Sequence, residues 1–410
     1  MVFRCASIRC MTNPSETASN RYRVWQTAPL SIAGTRVLVA TKPGVFAHGL
    51  ADPASLMLAE QMATTGRSSS VHLNCGNGMV AAAAAIAGGA SVLWCSDRSL
   101  PSVQAAERTM AANGIAGATV VHAHGTHAFP RALAADVVTI RVSTDKVAFQ
   151  QLLWEAFHAL RIGGRCYIAG ATDEGVKPAV RLLESFFGAA RLEAQHSGHR
   201  LAVATKSQVA PASLTEGASP FLDPDQFREL SATVQGIPLT LYSRPGVFSW
   251  EHLDEATQTL GNVMEIRAGE SVLDLGCGAG ALGLTAAALS GTGRVLMVDA
   301  DADAVRGVAR GIAKAHRTNA DVRASDVGSA VGDERFDVVV TNPPFHQGKA
   351  TDLTVPLQFI ADAHAHLRVG GRLYLVANRT LPYEQAIADQ FGTVRTLHDG
   401  RRFKVLSATR

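Results

Sequence analysis

The tetrapeptide PGVF occupies residues 43–46 and returns at 245–248, an offset of 202 residues. At the same offset Gly34 meets Gly236, Asp52 meets Asp254, Leu58 meets Leu260, Met62 meets Met264, Cys75 meets Cys277 and Gly78 meets Gly280, with no gap. Further on, LRIGGRCYIAG (160–170) echoes LRVGGRLYLVA (367–377) at an offset of 207. Isolated matches arise by chance; a run of them in one register does not. The chain therefore reads as two tandem copies of one domain of about 170–200 residues, an ordinary domain size. An array of short repeats, with its period of roughly 20–50 residues, is excluded. The expected division is an extension over 1–20, a first copy over 21–205, a linker over 206–230 and a second copy over 231–410. The linker rests on KSQVAPASLTEGASPFLDPD (206–225), rich in Ala, Ser and Pro and without a hydrophobic period.

Within the second copy, short β-rich runs alternate with helical patterns. SVLDLG, GRVLMVDA, FDVVVTNPP and RLYLVAN read as strands. AGALGLTAAALS, DADAVRGVARGIAKAH and LQFIADAHAHLRVGG read as helices, the last expected to end in a Gly-Gly cap. Continuous apolar strands with helices between them imply an α/β fold with a doubly wound, mainly parallel sheet in each copy. The longest apolar run, MVAAAAAIAGGASVLWC (79–95), is short for a membrane span and rich in weakly apolar Ala and Gly; it reads as a buried helix, a Gly-Gly stop and a buried strand. No membrane association is expected.

Six scattered cysteines lack zinc-knuckle or CxxC spacing, which favours a reducing, cytoplasmic setting. HAHGTH (122–127) reads as a polar loop after a strand, and no metal site is expected. The first fifteen residues carry Arg4 and Arg9 and no acid, a faintly transit-like pattern without a secretory apolar core; a start at Met11 is the equal alternative. Net charge is +3 but uneven: residues 1–208 carry 19 Lys+Arg and 12 Asp+Glu, whereas 209–410 carry 19 and 23. A basic first half beside an acidic second half suggests that the first meets a polyanion; drift between solvated surfaces is the competing explanation.

The chemistry concentrates in the second copy. DLGCGAG (274–280) stands where a strand turns into a helix. Gly276, Gly278 and Gly280 let a ligand lie against backbone, and the helix start offers free N–H groups. GAGALG (278–283) also satisfies the dinucleotide pattern GxGxxG, and Asp299 at the end of the next strand suits ribose hydroxyls of either a dinucleotide or an adenosyl ligand. Two features favour the adenosyl reading. Asp274 precedes the glycines, where it can face an amino group. TNPPFHQG (341–348) follows a buried strand, and its paired prolines force the chain out of the sheet. Asn342 and the Pro343 carbonyl would each accept one hydrogen of a planar amine, Pro344 would stiffen the turn, and Phe345 would stack on the base. The amine lone pair then turns toward the methyl of S-adenosylmethionine, and positioning rather than a strong base carries the reaction. Asp326, after the following strand, falls where an acid could take the adenine amine and counts among the cofactor-binding residues; an ordinary strand-end acid is the competing reading.

PGVFSWEHLDEATQTL, VLDLGCGAG, TNPPFHQG, LVANRTLPYE and RRFKVLSA together resemble the bacterial ribosomal RNA guanine-N2 methyltransferases, nearest the small-subunit methyltransferase C group and its large-subunit relative G. The resemblance runs from Gly236 to the end. It implies two tandem Rossmann-like class I methyltransferase domains, the first degenerate. It implies that Asp274, Gly276, Gly278 and Asp299 touch S-adenosylmethionine and that Asn342 to Phe345 hold guanine, in a monomer acting on ribosomal RNA or an assembled subunit. Gln347 and Arg379 depart from the family pattern. The first copy has His72, Asn74 and Arg141-Val142-Ser143 where the second has Asp274, Gly276 and Asn342-Pro343-Pro344, while Asp97 matches Asp299. Alternatives left open are a large-subunit RNA methyltransferase, a protein glutamine-N5 methyltransferase, an inactive nucleic-acid-binding scaffold and a dinucleotide oxidoreductase, which leaves TNPPF unexplained.

Overall fold

The computed structural model describes residues 18–49, 51–66, 69–130, 133–207, 219–344 and 353–410. Phe345, Gln347 and residues 208–218 of the expected linker lie outside them. The chain divides into two compact units, one spanning Val24–Gln226 and the other Phe227–Arg410; the helix α1 (Ala18–Arg23) groups with the second.

The first unit begins with the hairpin β1 (Gln26–Ile32) and β2 (Thr35–Thr41) and the helix α2 (Pro53–Thr64). There follow β3 (Ser69–Leu73), α3 (Met79–Ile86), β4 (Val92–Asp97), α4 (Leu100–Ala112), β5 (Ala118–His122), β6 (Ala135–Arg141), α5 (Lys146–Ala159), β7 (Leu160–Ala171), α6 (Val176–Phe187), β8 (Arg191–His196) and β9 (His199–Thr205). The second unit repeats this: β10 (Arg228–Val234), β11 (Ile237–Ser243), α7 (Glu255–Val263), β12 (Val272–Leu275), α8 (Ala281–Ser290), β13 (Val295–Asp299), α9 (Ala302–Lys314), β14 (Ala320–Ala324), β15 (Phe336–Thr341), α10 (Thr354–His366), β16 (Leu367–Asn378), α11 (Tyr383–Phe391), β17 (Arg395–Asp399) and β18 (Phe403–Thr409).

Each unit has a seven-stranded sheet, ordered β5-β4-β3-β6-β7-β9-β8 and β14-β13-β12-β15-β16-β18-β17. Five neighbouring strands run parallel, the next (β9 or β18) runs antiparallel to them, and the edge strand (β8 or β17), antiparallel to that one, points with the five again. Two apolar layers enclose each sheet. In the second unit Leu273, Leu275 and Val339 face Phe359 and Ile360 of α10, while Val272, Met297 and Val340 face Leu284 of α8 and Val308 of α9. Strands buried on both faces explain why their sequences are continuously apolar rather than alternating. The run 79–95 is the expected helix, glycine stop and strand, and no described helix is long and apolar enough to cross a membrane.

The duplication reaches the backbone. Gly44 and Gly246 have φ of 90° and 92°, Gly76 and Gly278 of 55° and 53°, and the non-glycine pair Ala47 and Ser249 of 57° and 51°. The expected Gly-Gly helix cap is corrected: α10 ends at His366, and Gly370-Gly371 lie within β16. A non-local partner decides this, because Gly370 N–H donates to the Arg410 carbonyl at 2.7 Å and draws the segment into the sheet. The first copy does the same with Gly163 and Lys206.

Candidate functional site

β12 is hydrogen-bonded to β13 on one side and β15 on the other, so the strand order reverses there. In open α/β sheets a ligand crevice forms beyond the carboxyl ends of the strands at such a point. Gly276, Gly278 and Asn342 flank it, and with Phe248, Asp254 and Thr257 they line a shallow groove.

Asn342 leaves the sheet after β15 and is held by a helix start 85–88 residues earlier in the chain. Asp254 caps α7, its Oδ2 accepting the Thr257 N–H at 2.9 Å. The same Oδ2 accepts from Asn342 Nδ2 at 3.1 Å, and Thr257 Oγ1 accepts from Nδ2 at 2.9 Å. Both amide hydrogens are thereby engaged, which leaves the Asn342 carbonyl oxygen as the acceptor for a bound group. Pro343 is buried and Pro344 exposed. Sequence reasoning missed Asp254, Thr257 and Phe248; the recurrence of PGVF and of Asp52 as Asp254 was their signal.

The glycine loop is organised by Asp299, whose Oδ2 accepts the Gly278 N–H at 2.8 Å and whose Oδ1 accepts the Asp301 N–H at 2.9 Å. Gly278, at φ +53°, lines the groove, and a Cβ there would meet no protein atom within 4 Å. Gly280, at φ +84°, serves packing instead, since a Cβ would come within 2.9 Å of Val308 on α9. Asp274 lies beneath the loop, fully buried, with Oδ2 accepting the Gly283 N–H at 2.8 Å. Burial first, offset by that hydrogen bond and aided by the charge of Asp299, pushes its carboxyl up to about 7. Its Oδ1 has no hydrogen-bond partner among the described residues. Open space over Gly278 and this buried acceptor fit a ligand carrying an ammonium and a ribose. Asp326 is bonded by the Tyr22 hydroxyl of α1 at 2.5 Å, and Arg23 reaches Asp362 on α10 at 2.6 Å. Arg379 contacts Asp399 on the exposed edge of the sheet.

In the first copy the matching positions are filled. His72 stands in place of Asp274, its ring nitrogens 2.8 Å from Thr139 Oγ1 and 2.9 Å from Ser70 Oγ; burial pulls its pKa down to about 3, so it is neutral. Arg141, at the position of Asn342, ion-pairs with Asp52 and Glu174. Asp97 keeps the Asp299 geometry, accepting from Gly76 and Ser99 N–H groups. The histidines of 122–127 bond backbone carbonyls, and no cluster of metal-ligating side chains occurs among the described residues.

The sequence matches the family described as methyltransferase small domain twice, over residues 36–202 and 238–407. It is 32% identical to the ribosomal RNA small subunit methyltransferase C of Erwinia tasmaniensis over 269 residues, covering 65% of this chain and 73% of that one. The chain belongs to this family. The family member of the same name from Alteromonas mediterranea is 30% identical over 316 residues, 76% of this chain and 84% of its own. A solved structure of the T. thermophilus 16S rRNA N2-guanosine methyltransferase, in complex with S-adenosylmethionine and guanosine, superposes with a TM-score of 0.80 at 29% identity, covering 96% of this chain and 99% of that one.

Proposed function

We propose that the second unit transfers a methyl group from S-adenosylmethionine to the exocyclic N2 amine of a guanosine in small-subunit ribosomal RNA. The observation that carries this is the fixed Asn342 amide, both of whose N–H groups are engaged by Asp254 and Thr257 at the groove. Its carbonyl oxygen accepts one hydrogen of the target amine and the Pro343 carbonyl the other. Drawing both hydrogens aside turns the nitrogen lone pair out of conjugation with the ring. S-adenosylmethionine, when bound, supplies an electrophilic methyl on a sulfonium. The N2 nitrogen would take that methyl as its bond to sulfur breaks, with the electron pair left on sulfur, and the aryl-ammonium so formed would lose its proton to water. Asp299 would hold the ribose hydroxyls, Gly278 gives the backbone room for the ligand, Gly276 lines the groove while a Cβ there would meet the Phe359 ring at 2.9 Å, and Asp274 would present toward the ammonium the oxygen that has no hydrogen-bond partner among the described residues.

The first unit serves RNA delivery. Residues 1–208 carry 19 Lys+Arg against 12 Asp+Glu, and the position matching Asn342 holds Arg141, tied to two carboxylates, in place of the methylating amide. Contacts between basic side chains and RNA phosphates would orient the RNA without reading sequence. The protein acts as a cytoplasmic monomer on ribosomal RNA or its assembled subunit. Asn342→Ala tests the reading: methyl transfer should fall by at least two orders of magnitude, while calorimetry shows little change in S-adenosylmethionine affinity. Near-normal turnover in that variant sinks the amine polarisation.

A further inference from the structure

The two PGVF turns do the same thing in both units. Val45 N–H bonds the Lys42 carbonyl and Val247 N–H the Arg244 carbonyl, each at 3.1 Å. Val45 and Val247 are buried, so the turn is anchored, and the next side chain is driven outward. Phe46 is 52% exposed and Phe248 61% exposed. A large aromatic ring left half in water on an anchored turn adds little to the core, and at the groove it is placed to meet a ligand.

The first copy shows what such a ring covers. The Arg141 guanidinium lies 4.9 Å from the Phe46 ring centroid while its Nη2 and Nε reach the two Asp52 oxygens at 3.0 and 3.2 Å. Asp52 corresponds to Asp254 as the N-cap of the matching helix, and Arg141 to Asn342 in the sheet registers. A guanidinium is a planar carbon bearing three nitrogens. Guanine carries the same unit, its C2 bonded to N1, N2 and N3. In the second copy the shorter Asn342 replaces the arginine, and the groove lined by Phe248, Asp254 and Asn342 opens there.

We propose that Phe248 is the stacking face for the target guanine, and that Arg141 on Phe46 is the first copy's built-in counterpart of the bound base. The proposal rests on the reading of the second unit as a guanine-N2 methyltransferase. A ring face on a base is a sequence-tolerant contact, and guanine's specificity then comes from the carboxylate and amide beside it.

The test uses the full-length protein with free guanosine as the probe, in the presence of S-adenosylhomocysteine, followed by saturation-transfer NMR and competition. Phe248→Ala should weaken guanosine binding about ten-fold or more, with melting temperature and S-adenosylmethionine affinity unchanged, because the ring is largely exposed. Phe248→Trp should retain binding, Phe248→Leu should not, and Phe46→Ala should leave guanosine affinity as it was. Equal guanosine affinity in wild type and Phe248→Ala overturns the proposal, as does a wild type to which guanosine does not bind. A wild type that binds guanosine through Phe248 but transfers no methyl to guanine in ribosomal RNA leaves the stacking assignment standing and rejects the proposed reaction instead.

Discussion

Replacing Asp274 by asparagine should stabilise the second unit at high pH relative to low pH. Burial chiefly, with the nearby Asp299 charge, raises the carboxyl from its ordinary 3.8 to about 7 against the Gly283 hydrogen bond. A folded-state value above the unfolded one means the native protein binds the extra proton between those limits. Its stabilising contribution is fully present below about pH 4 and is lost as pH rises through 7. At about 1.4 kcal/mol per pH unit, ionisation destabilises the folded unit by about 4 kcal/mol at pH 8 and about 1.5–2 kcal/mol at pH 5, both upper figures. The amide of the variant still accepts the Gly283 N–H but places an N–H where Oδ1 has no protein partner, a pH-independent cost of about 1–3 kcal/mol. The diagnostic quantity is therefore the change in the variant-minus-wild-type difference from pH 5 to pH 8, about 2–3 kcal/mol in favour of Asp274→Asn. Urea unfolding of the full chain measures it. A two-unit protein need not unfold in one step, so the relevant transition is the one that S-adenosylmethionine shifts. A difference that stays flat across that pH range refutes the claim that Asp274 is held neutral.

Asp299→Ala should reduce S-adenosylmethionine affinity about ten-fold or more, since a charge-assisted bond to ribose is worth about 1.5–3 kcal/mol and the Gly278 N–H loses its acceptor as well; unchanged affinity by calorimetry moves the ribose contact elsewhere. Tyr22→Phe leaves the buried Asp326 without the hydroxyl it now accepts and should destabilise the second unit's unfolding transition by about 1–3 kcal/mol; an unchanged transition denies α1 a structural role. Arg141→Ala should destabilise the first unit by up to about 3–5 kcal/mol, because it leaves Asp52 and Glu174 facing each other without their cation; thermal unfolding without an effect would mean that the pair is solvated. RNA affinity of the full chain should fall steeply with rising salt, with a smaller slope when basic residues of the first unit are removed.

The alternation of strands and helices, the duplication and the glycine loop were legible because their signals are local or repeat in register. The paired prolines placed Asn342 at a strand end, where β15 does finish one residue earlier. What holds Asn342 was not legible as a site: Asp254 and Thr257 lie 88 and 85 residues away and read simply as a helix start. Nor does any local pattern announce that Tyr22 bonds Asp326, 304 residues distant. Gly370-Gly371 reads as a helix cap because a glycine after an amphipathic run looks the same whether it caps or enters a sheet; the Arg410 carbonyl of the chain's end decides it. Gly280 is required for packing on Val308, a distinction that spacing alone does not carry.

The central claim is the reaction at Asn342. Incubating the protein with methyl-tritiated S-adenosylmethionine and separated small- and large-subunit ribosomal RNA, naked and assembled, followed by digestion to nucleosides, tests it directly. The expected result is label in N2-methylguanosine from small-subunit RNA alone, abolished by Asn342→Ala. Label in another nucleoside, in the large-subunit RNA, or undiminished in that variant contradicts the account.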